Sequence, residues 1–179
     1  MSDAKMTFWE HLGELRKRFI YCFLAVIIGT IVAFSFSEDI WRFLIQPLPE
    51  KYRHLNYTGL AEHFFTSLQL AFFAGVFFTA PFLLWQTWLF VSPALYSKEK
   101  HVAIPFVVLS LLLFVGGTAF CYYVVLPAGY GFLVQFMPPE VASPILTLRE
   151  YLSLSTMLIL AFGFTFELPV FIFFLNRLG

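Results

Sequence analysis

The residues that offer chemistry in this sequence are a few carboxylates set beside aromatic side chains. Glu10 and Glu14 lie four residues apart in a stretch of helical periodicity, so both project from one helix face. Glu99 stands between Lys98 and Lys100 at the end of a short charged link, residues 86–100, that joins two long apolar blocks. Trp88, Phe90 and Tyr96 belong to the same link. Carboxylates grouped at a membrane surface suit a peptide with adjacent arginines, because each guanidinium takes a bidentate carboxylate contact that a low local dielectric strengthens. The aromatic side chains would seat the apolar side of such a peptide. A plainer reading is open for Glu99: it pairs with Lys98, Lys100 or the positive end of the following helix. Glu167 differs from these, because it sits inside an apolar run. A carboxylate in a span is costly and marks a functional site by default, although a protonated glutamic acid that only fixes helix packing is the competing reading. Counted from the same membrane face, Gln86 lies at a similar depth, so the geometry allows a hydrogen bond between Gln86 and Glu167, directly or through water.

The elements that must position these groups are membrane helices. The 179 residues are 60% hydrophobic, 21% aromatic and 12% charged. That charge is about half of what a soluble domain carries, and the length allows one all-α membrane domain of a few spans. Residues 7–18 form an amphipathic lead-in helix, opened by a Thr7–Glu10 capping box with Phe8, Leu12, Leu15 and Phe19 on one stripe. Apolar runs at about 19–36, 64–91, 102–125 and 151–175 are each long enough to cross a hydrocarbon core of about 30 Å. The first is a retained span, since it lacks the cleavage pattern of a secretory signal. Gly29-Thr30 and Gly116-Gly117 are points for close helix approach, and Pro81 is expected to kink the second span. Residues 37–63 and 126–150 are the longer loops, the first with a short amphipathic piece at 40–45 that Pro47 and Pro49 stop, the second continuing the apolar run at its start and holding a short helix broken by Pro138-Pro139 and Pro144. Residues 1–18, 92–101 and 176–179 lie on the opposite side. These short segments hold seven Lys and Arg (Lys5, Arg16, Lys17, Arg18, Lys98, Lys100, Arg177) against four in the long loops. The positive-inside rule therefore puts the N-terminus inside, with Glu10, Glu14 and Glu99 on the cytoplasmic side.

Other classes find no support in the residues. Net charge is zero, so no basic field invites nucleic acid. There is no phosphate-binding Gly-rich loop, no HExxH pair and no Ser–His–Asp arrangement, so neither an enzyme nor a cofactor is indicated. The two cysteines, Cys22 and Cys121, lie in apolar runs and read as small packing residues. A proton-coupled small-molecule transporter titrating at Glu167 is the alternative function, and it lacks the internal repeat common in that class. A structural scaffold is a further one.

Five segments, in order, give the sequence a specific resemblance: His11-Leu-Gly-Glu14-Leu-Arg16-Lys-Arg18, then Gln46-Pro47-Leu48, then residues 86–99 with Phe90, Pro93, Tyr96 and Glu99, then Tyr123-Val-Val-Leu-Pro127, and Ala161-Phe-Gly-Phe-Thr-Phe-Glu167-Leu-Pro169. Together they resemble the TatC family, the large membrane subunit of the twin-arginine protein translocase. The resemblance implies a helical membrane protein shaped like a cupped hand in the bacterial inner membrane. Its cytoplasmic surface would bind the paired arginines of signal peptides on folded proteins. It implies signal-binding roles for Glu14, Arg16, Phe90 and Glu99, with Glu10, Pro93 and Tyr96 in support. It implies an intramembrane polar position for Glu167, with Gln86 beside it, and a structural one for Pro47 in the first outer loop. It also implies transport driven by the proton-motive force without ATP, small single-span partners TatA and TatB, and assembly of several copies in a larger complex. The family has six spans and the sequence ends after its fourth, so the expectation is a fragment with its signal-binding surface complete and its transport competence open.

Overall fold

In the computed structural model the chain is a set of long helices, described for residues 8–91, 103–136 and 145–178. Helix α1 runs over Phe8–Ser35. The lead-in helix and the first span are thus one rod, not two elements. No proline falls in those residues to break it, and the charged residues near its start are good helix formers. At 1.5 Å per residue the rod is about 42 Å long, so its first turns stand clear of the apolar core. Thr7 of the expected capping box lies outside the described residues. A short helix α2, Ser37–Leu44, follows a break at Phe36, and a single 3-10 turn over Glu50–Tyr52 comes after the prolines.

Helix α3, Glu62–Val91, runs back along α1 and passes through Pro81 without a break. Its start is held by Glu62, whose carboxylate accepts from the Thr58 hydroxyl at 2.7 Å and the Gly59 N–H at 3.3 Å. Helix α4, Ala103–Phe120, leads through a widened π-turn at Cys121–Val125 into α5, Leu126–Gln135. The short helix expected after residue 126 is therefore α5, continuous with α4. Pro127 falls in the first turn of α5, where its missing N–H costs little, and the π-turn reroutes the hydrogen-bond ladder ahead of it. Helix α6, Leu148–Leu178, also carries a proline, Pro169, inside it. Among the described residues four helical segments are long and apolar enough to cross a membrane, Trp9–Ser35, Glu62–Phe90, Val107–Gln135 and Leu148–Phe173. Large apolar side chains such as Phe19, Phe23, Ile28 and Ile31 point outward from α1, as the lipid-facing side of a span requires.

Two antiparallel pairs form the frame, and each closes at glycine. In α1 and α3, Gly29 faces Gly75, and a Cβ on Gly75 would lie 2.6 Å from the Thr30 backbone nitrogen. In α4 and α6, a Cβ on Gly117 would lie 2.7 Å from the Phe162 carbonyl, and one on Gly163 would lie 2.8 Å from the Phe114 ring. Gly116 has open space around it, so only the second glycine of that pair is a contact. Small residues let backbones approach, which is the main route to helix association where lipid is as apolar as leucine.

The apolar core sits at the end of the frame where α1 stops. Trp41, Leu44 and Leu48 from the α2 region meet Leu70, Cys121, Leu126 and Leu152 there. Cys121 is buried, Cys22 half-buried, and both are free thiols. Three tyrosine hydroxyls tie the core. Tyr122 donates to the Phe43 carbonyl and Tyr151 to the Leu44 carbonyl, each at 2.5 Å. Tyr130 lies 2.8 Å from the Ser155 hydroxyl and 3.2 Å from the Tyr151 carbonyl. The Leu44 carbonyl is among those a helix C-terminus leaves unpaired, while the Phe43 carbonyl also accepts from the Gln46 N–H at 3.2 Å, so the tyrosines bind the C-terminal end of α2 from other helices. Nearby, Asn56 bonds across to Leu146 and Leu148 at 3.0 and 2.9 Å, which joins the two loops. Tyr151→Phe should lower stability by about 1–2 kcal/mol, the cost of leaving a buried carbonyl unpaired. Thermal melts of the detergent-solubilised protein read that loss, and an unchanged melt would mean that the cap is dispensable.

Candidate functional site

The N-terminal part of α1 lies against the C-terminal part of α3, and the pairing forms a ladder of polar and aromatic rungs. The His11 imidazole stacks on the Phe90 ring, with centroids 4.3 Å apart and planes 19° from parallel. Arg18 forms the next rung: its Nη1 donates to Gln86 Oε1 at 3.1 Å. On its other side Arg18 grips Glu14. Nε donates to Glu14 Oε1 at 3.1 Å, and Nη2 reaches the same oxygen. Helical spacing explains both sets. His11, Glu14 and Arg18 recur at three and four residues on α1, and Gln86 and Phe90 are one turn apart on α3.

This ladder is half-buried. Glu14 and Arg18 keep 18% and 19% of their side-chain surface exposed. Glu14 Oε2 is buried and has no hydrogen-bond partner among the described residues. The carboxylate is thus held at one oxygen only, beside an aromatic surface. Such a group can take a guanidinium. Among the described residues no three His, Cys, Asp or Glu side chains gather to hold a metal ion.

The other expected residues are distributed as follows. Arg16 is exposed on α1, and Glu10 is exposed one turn before Glu14, so the two acidic residues differ in burial. Trp88 is buried on α3. Pro93, Tyr96 and Glu99 lie outside the described residues. Pro47 is half-buried in the turn after α2, at the far end of the frame. Glu167 is buried on α6, with 5% of its surface exposed. Its carboxyl faces the Ser110 hydroxyl on α4. A direct hydrogen bond between Gln86 and Glu167, which their depth allows, does not form: Gln86 is engaged by Arg18, and Glu167 faces Ser110 across the α4–α6 pair. Similar depth in the membrane fixes height along a helix, not direction around it.

Two residues escaped the reading of the sequence as site residues, Arg18 and His11. The signal was present in the Glu14–Arg18 spacing, since a glutamate four residues ahead of an arginine is the favoured order on a helix.

Fold and site together define a multi-pass helical membrane protein with a carboxylate–guanidinium cluster at one end of its first helix. The chain belongs to the TatC family: residues 10–179 match the family described as "Sec-independent protein translocase protein (TatC)". It is 40% identical over 181 residues to the TatC of Desulforapulum autotrophicum, covering 99% of this chain and 66% of that protein. It is 39% identical over 173 residues to the TatC of Escherichia coli K12, covering 94% of this chain and 66% of that one. Among solved structures it matches the crystal structure of the twin-arginine translocase receptor TatC, with a TM-score of 0.87 and 35% identity over 95% of this chain and 76% of the other. The chain thus spans about two thirds of the length of these named relatives.

Proposed function

We propose that this chain supplies the signal-recognising part of a twin-arginine translocase, binding the paired arginines of signal peptides on folded proteins for export. The observation that carries the reading is Glu14, a half-buried carboxylate held at one oxygen beside Gln86 and the His11–Phe90 stack. A guanidinium ligand needs that acceptor, and the flat aromatic surface suits the apolar residues that follow it. Glu99 is the second acceptor in this reading, with Arg16 and Phe90 at the same surface and Glu10, Pro93 and Tyr96 in support. Glu167 is a polar position within the membrane, and Pro47 shapes the outer loop. The chain lies in a bacterial inner membrane with its N-terminus inside. It works with the single-span TatA and TatB subunits in a complex that holds more than one copy, and the proton-motive force drives transport without a cofactor. Membership of a translocase family favours this function over a proton-coupled solute transporter at Glu167.

The test is site-specific crosslinking to a twin-arginine signal peptide. Glu14→Ala, Glu99→Ala and Glu99→Lys should each weaken capture by about tenfold or more, the scale of one lost charge-assisted contact. Undiminished capture in all three would overturn the assignment.

A further inference from the structure

The turn that leads into α3 holds an apolar side chain in the open. Leu60 is 96% exposed, the highest value among the large hydrophobic residues described, and Tyr57 is exposed three residues earlier. The turn is tied down on both sides. Glu62 accepts from the Thr58 and Gly59 N–H groups and from the Thr58 hydroxyl. Asn56 is bonded to Leu146 and Leu148 of the second loop, where Ile145 is exposed as well. The chain thus uses its own hydrogen bonds to keep Leu60 turned outward. A single exposed leucine is ordinary, but this one belongs to a pattern. Leu60, Phe64, Leu68 and Phe72 recur every four residues, and all four are exposed. Helical bonding already begins in the turn, where the Glu62 N–H donates to the Gly59 carbonyl at 3.0 Å and the Phe65 N–H to the Ala61 carbonyl at 3.1 Å. Successive members are therefore neighbours on one helix surface. From Phe64 onward that surface is the lipid-facing side of a span.

We propose that Tyr57 and Leu60 form a lipid foot, an apolar tip seated among the phospholipid headgroups of the leaflet at which α1 ends. The height of the tip supports this. The Phe64 and Phe34 rings meet edge to face with centroids 6.3 Å apart, so the first turn of α3 is level with the last turn of α1. The charged pair Glu38 and Asp39 follows that turn of α1 directly, which sets the edge of the apolar layer there. Leu60 stands four residues beyond Phe64, about 6 Å at the helical rise. The headgroup layer is about 5–8 Å deep, so Leu60 falls within it. A tyrosine suits the same level, with its ring toward the acyl chains and its hydroxyl toward water. The occupant is lipid because the tip continues a surface that lipid already covers. The foot is built in advance by the Glu62 bonds, and it fixes the height of α3 and of the loop bridge that Asn56 makes.

The test places a nitroxide at Leu60→Cys in the full chain, with Cys22→Ser and Cys121→Ala, in vesicles of phosphatidylcholine and phosphatidylglycerol at high lipid excess. Collisions are measured with a nickel chelate free in solution and with the same chelate carried on a lipid headgroup. Leu68→Cys is the reference for the lipid-facing side, and Glu50→Cys, from an exposed carboxylate, the reference for the loop. The headgroup-bound chelate, relative to the free one, should relax the Leu60 label several times more strongly than the Glu50 label, and oxygen should act most strongly at Leu68. Equal ratios at 60 and 50 would put Leu60 in water and overturn the foot. A Leu60 label shielded from both chelates, and released by further dilution with lipid, would mean that a second copy of the chain sits there, which overturns it too. The unaltered chain gives an independent reading should the cysteine-free form not fold. A phospholipid with a photoreactive group at the top of its acyl chain should label residues 57–60 as well as α3, and labelling of α3 alone refutes the proposal.

Discussion

Gly75→Leu should force α1 away from α3 and abolish peptide binding together with most of the stability of that helix pair. A Cβ at this position lies 2.6 Å from the Thr30 nitrogen, 2.7 Å from the Thr30 hydroxyl oxygen and 2.9 Å from the Gly29 carbonyl carbon. The nitrogen and carbon are backbone atoms of a regular helix and cannot turn aside. Overpacking a close contact costs about 1–3 kcal/mol even where side chains can adjust, and leucine adds three further carbons. Among the described residues α1 packs extensively on α3 alone, so no other helix would hold it in place. The displacement reaches the site, because the His11–Phe90 stack and the Arg18–Gln86 bond are both built across the same pair. Two measurements read the outcome: the melting temperature in detergent, and maleimide labelling of Cys22, which is half-buried on α1 and should react faster in the variant. Gly116→Leu is the control, since nothing lies within 4 Å of a Cβ there. A Gly75→Leu protein that melts and binds like the parent would mean that the pair does not depend on this contact.

The spans were legible in the sequence because a membrane helix must be apolar and long, and both properties are local. The glycine contacts at Gly29 and Gly117 were legible for a similar reason: small residues in an apolar run have few other uses. What failed was non-local. The apolar run past Leu126 and a short helix in the loop after it were legible, but not that this helix, α5, joins the span directly, because the π-turn that carries the chain past Pro127 is a matter of hydrogen-bond routing. Residues 7–18 were read as a separate helix because their charge contrasts with the run that follows, yet charge alone does not interrupt a helix. The Gln86–Glu167 pairing was inferred from depth, and the direction each side chain faces depends on which helices are neighbours. Gln86 faces α1 and Glu167 faces α4. The site shows the same division. Glu14 and Phe90 were legible as chemistry and as a family motif, and the Glu14–Arg18 pair was within reach of the spacing on α1, whereas the Arg18–Gln86 bond is visible only when α1 and α3 lie side by side.

Glu167→Lys should prevent stable folding, while Glu167→Gln should accumulate and melt close to the parent. The carboxyl lies on α6 well inside a span and is almost wholly buried, with 5% of its surface exposed. It faces the Ser110 hydroxyl, one turn of α4 before Phe114. The α4–α6 pair cannot part to admit a longer side chain, because Gly117 and Gly163 lock the two helices at contacts of 2.7 and 2.8 Å for any added Cβ. An ammonium at that position has neither an opposite charge among these neighbours nor a short route to the membrane surface. Its cost is about 3 kcal/mol at the centre of a span, and more where snorkelling is blocked. Glutamine keeps the size of the side chain and both hydrogen-bonding functions, so it can face Ser110 as the carboxyl does. Membrane yield and the detergent melting temperature separate the two variants. If Glu167→Lys accumulates and melts like the parent, the side chain reaches water in the native protein, and Glu167 lines an aqueous cavity instead of a closed helix contact. If Glu167→Gln is lost as well, the charge of the carboxylate is itself required for folding.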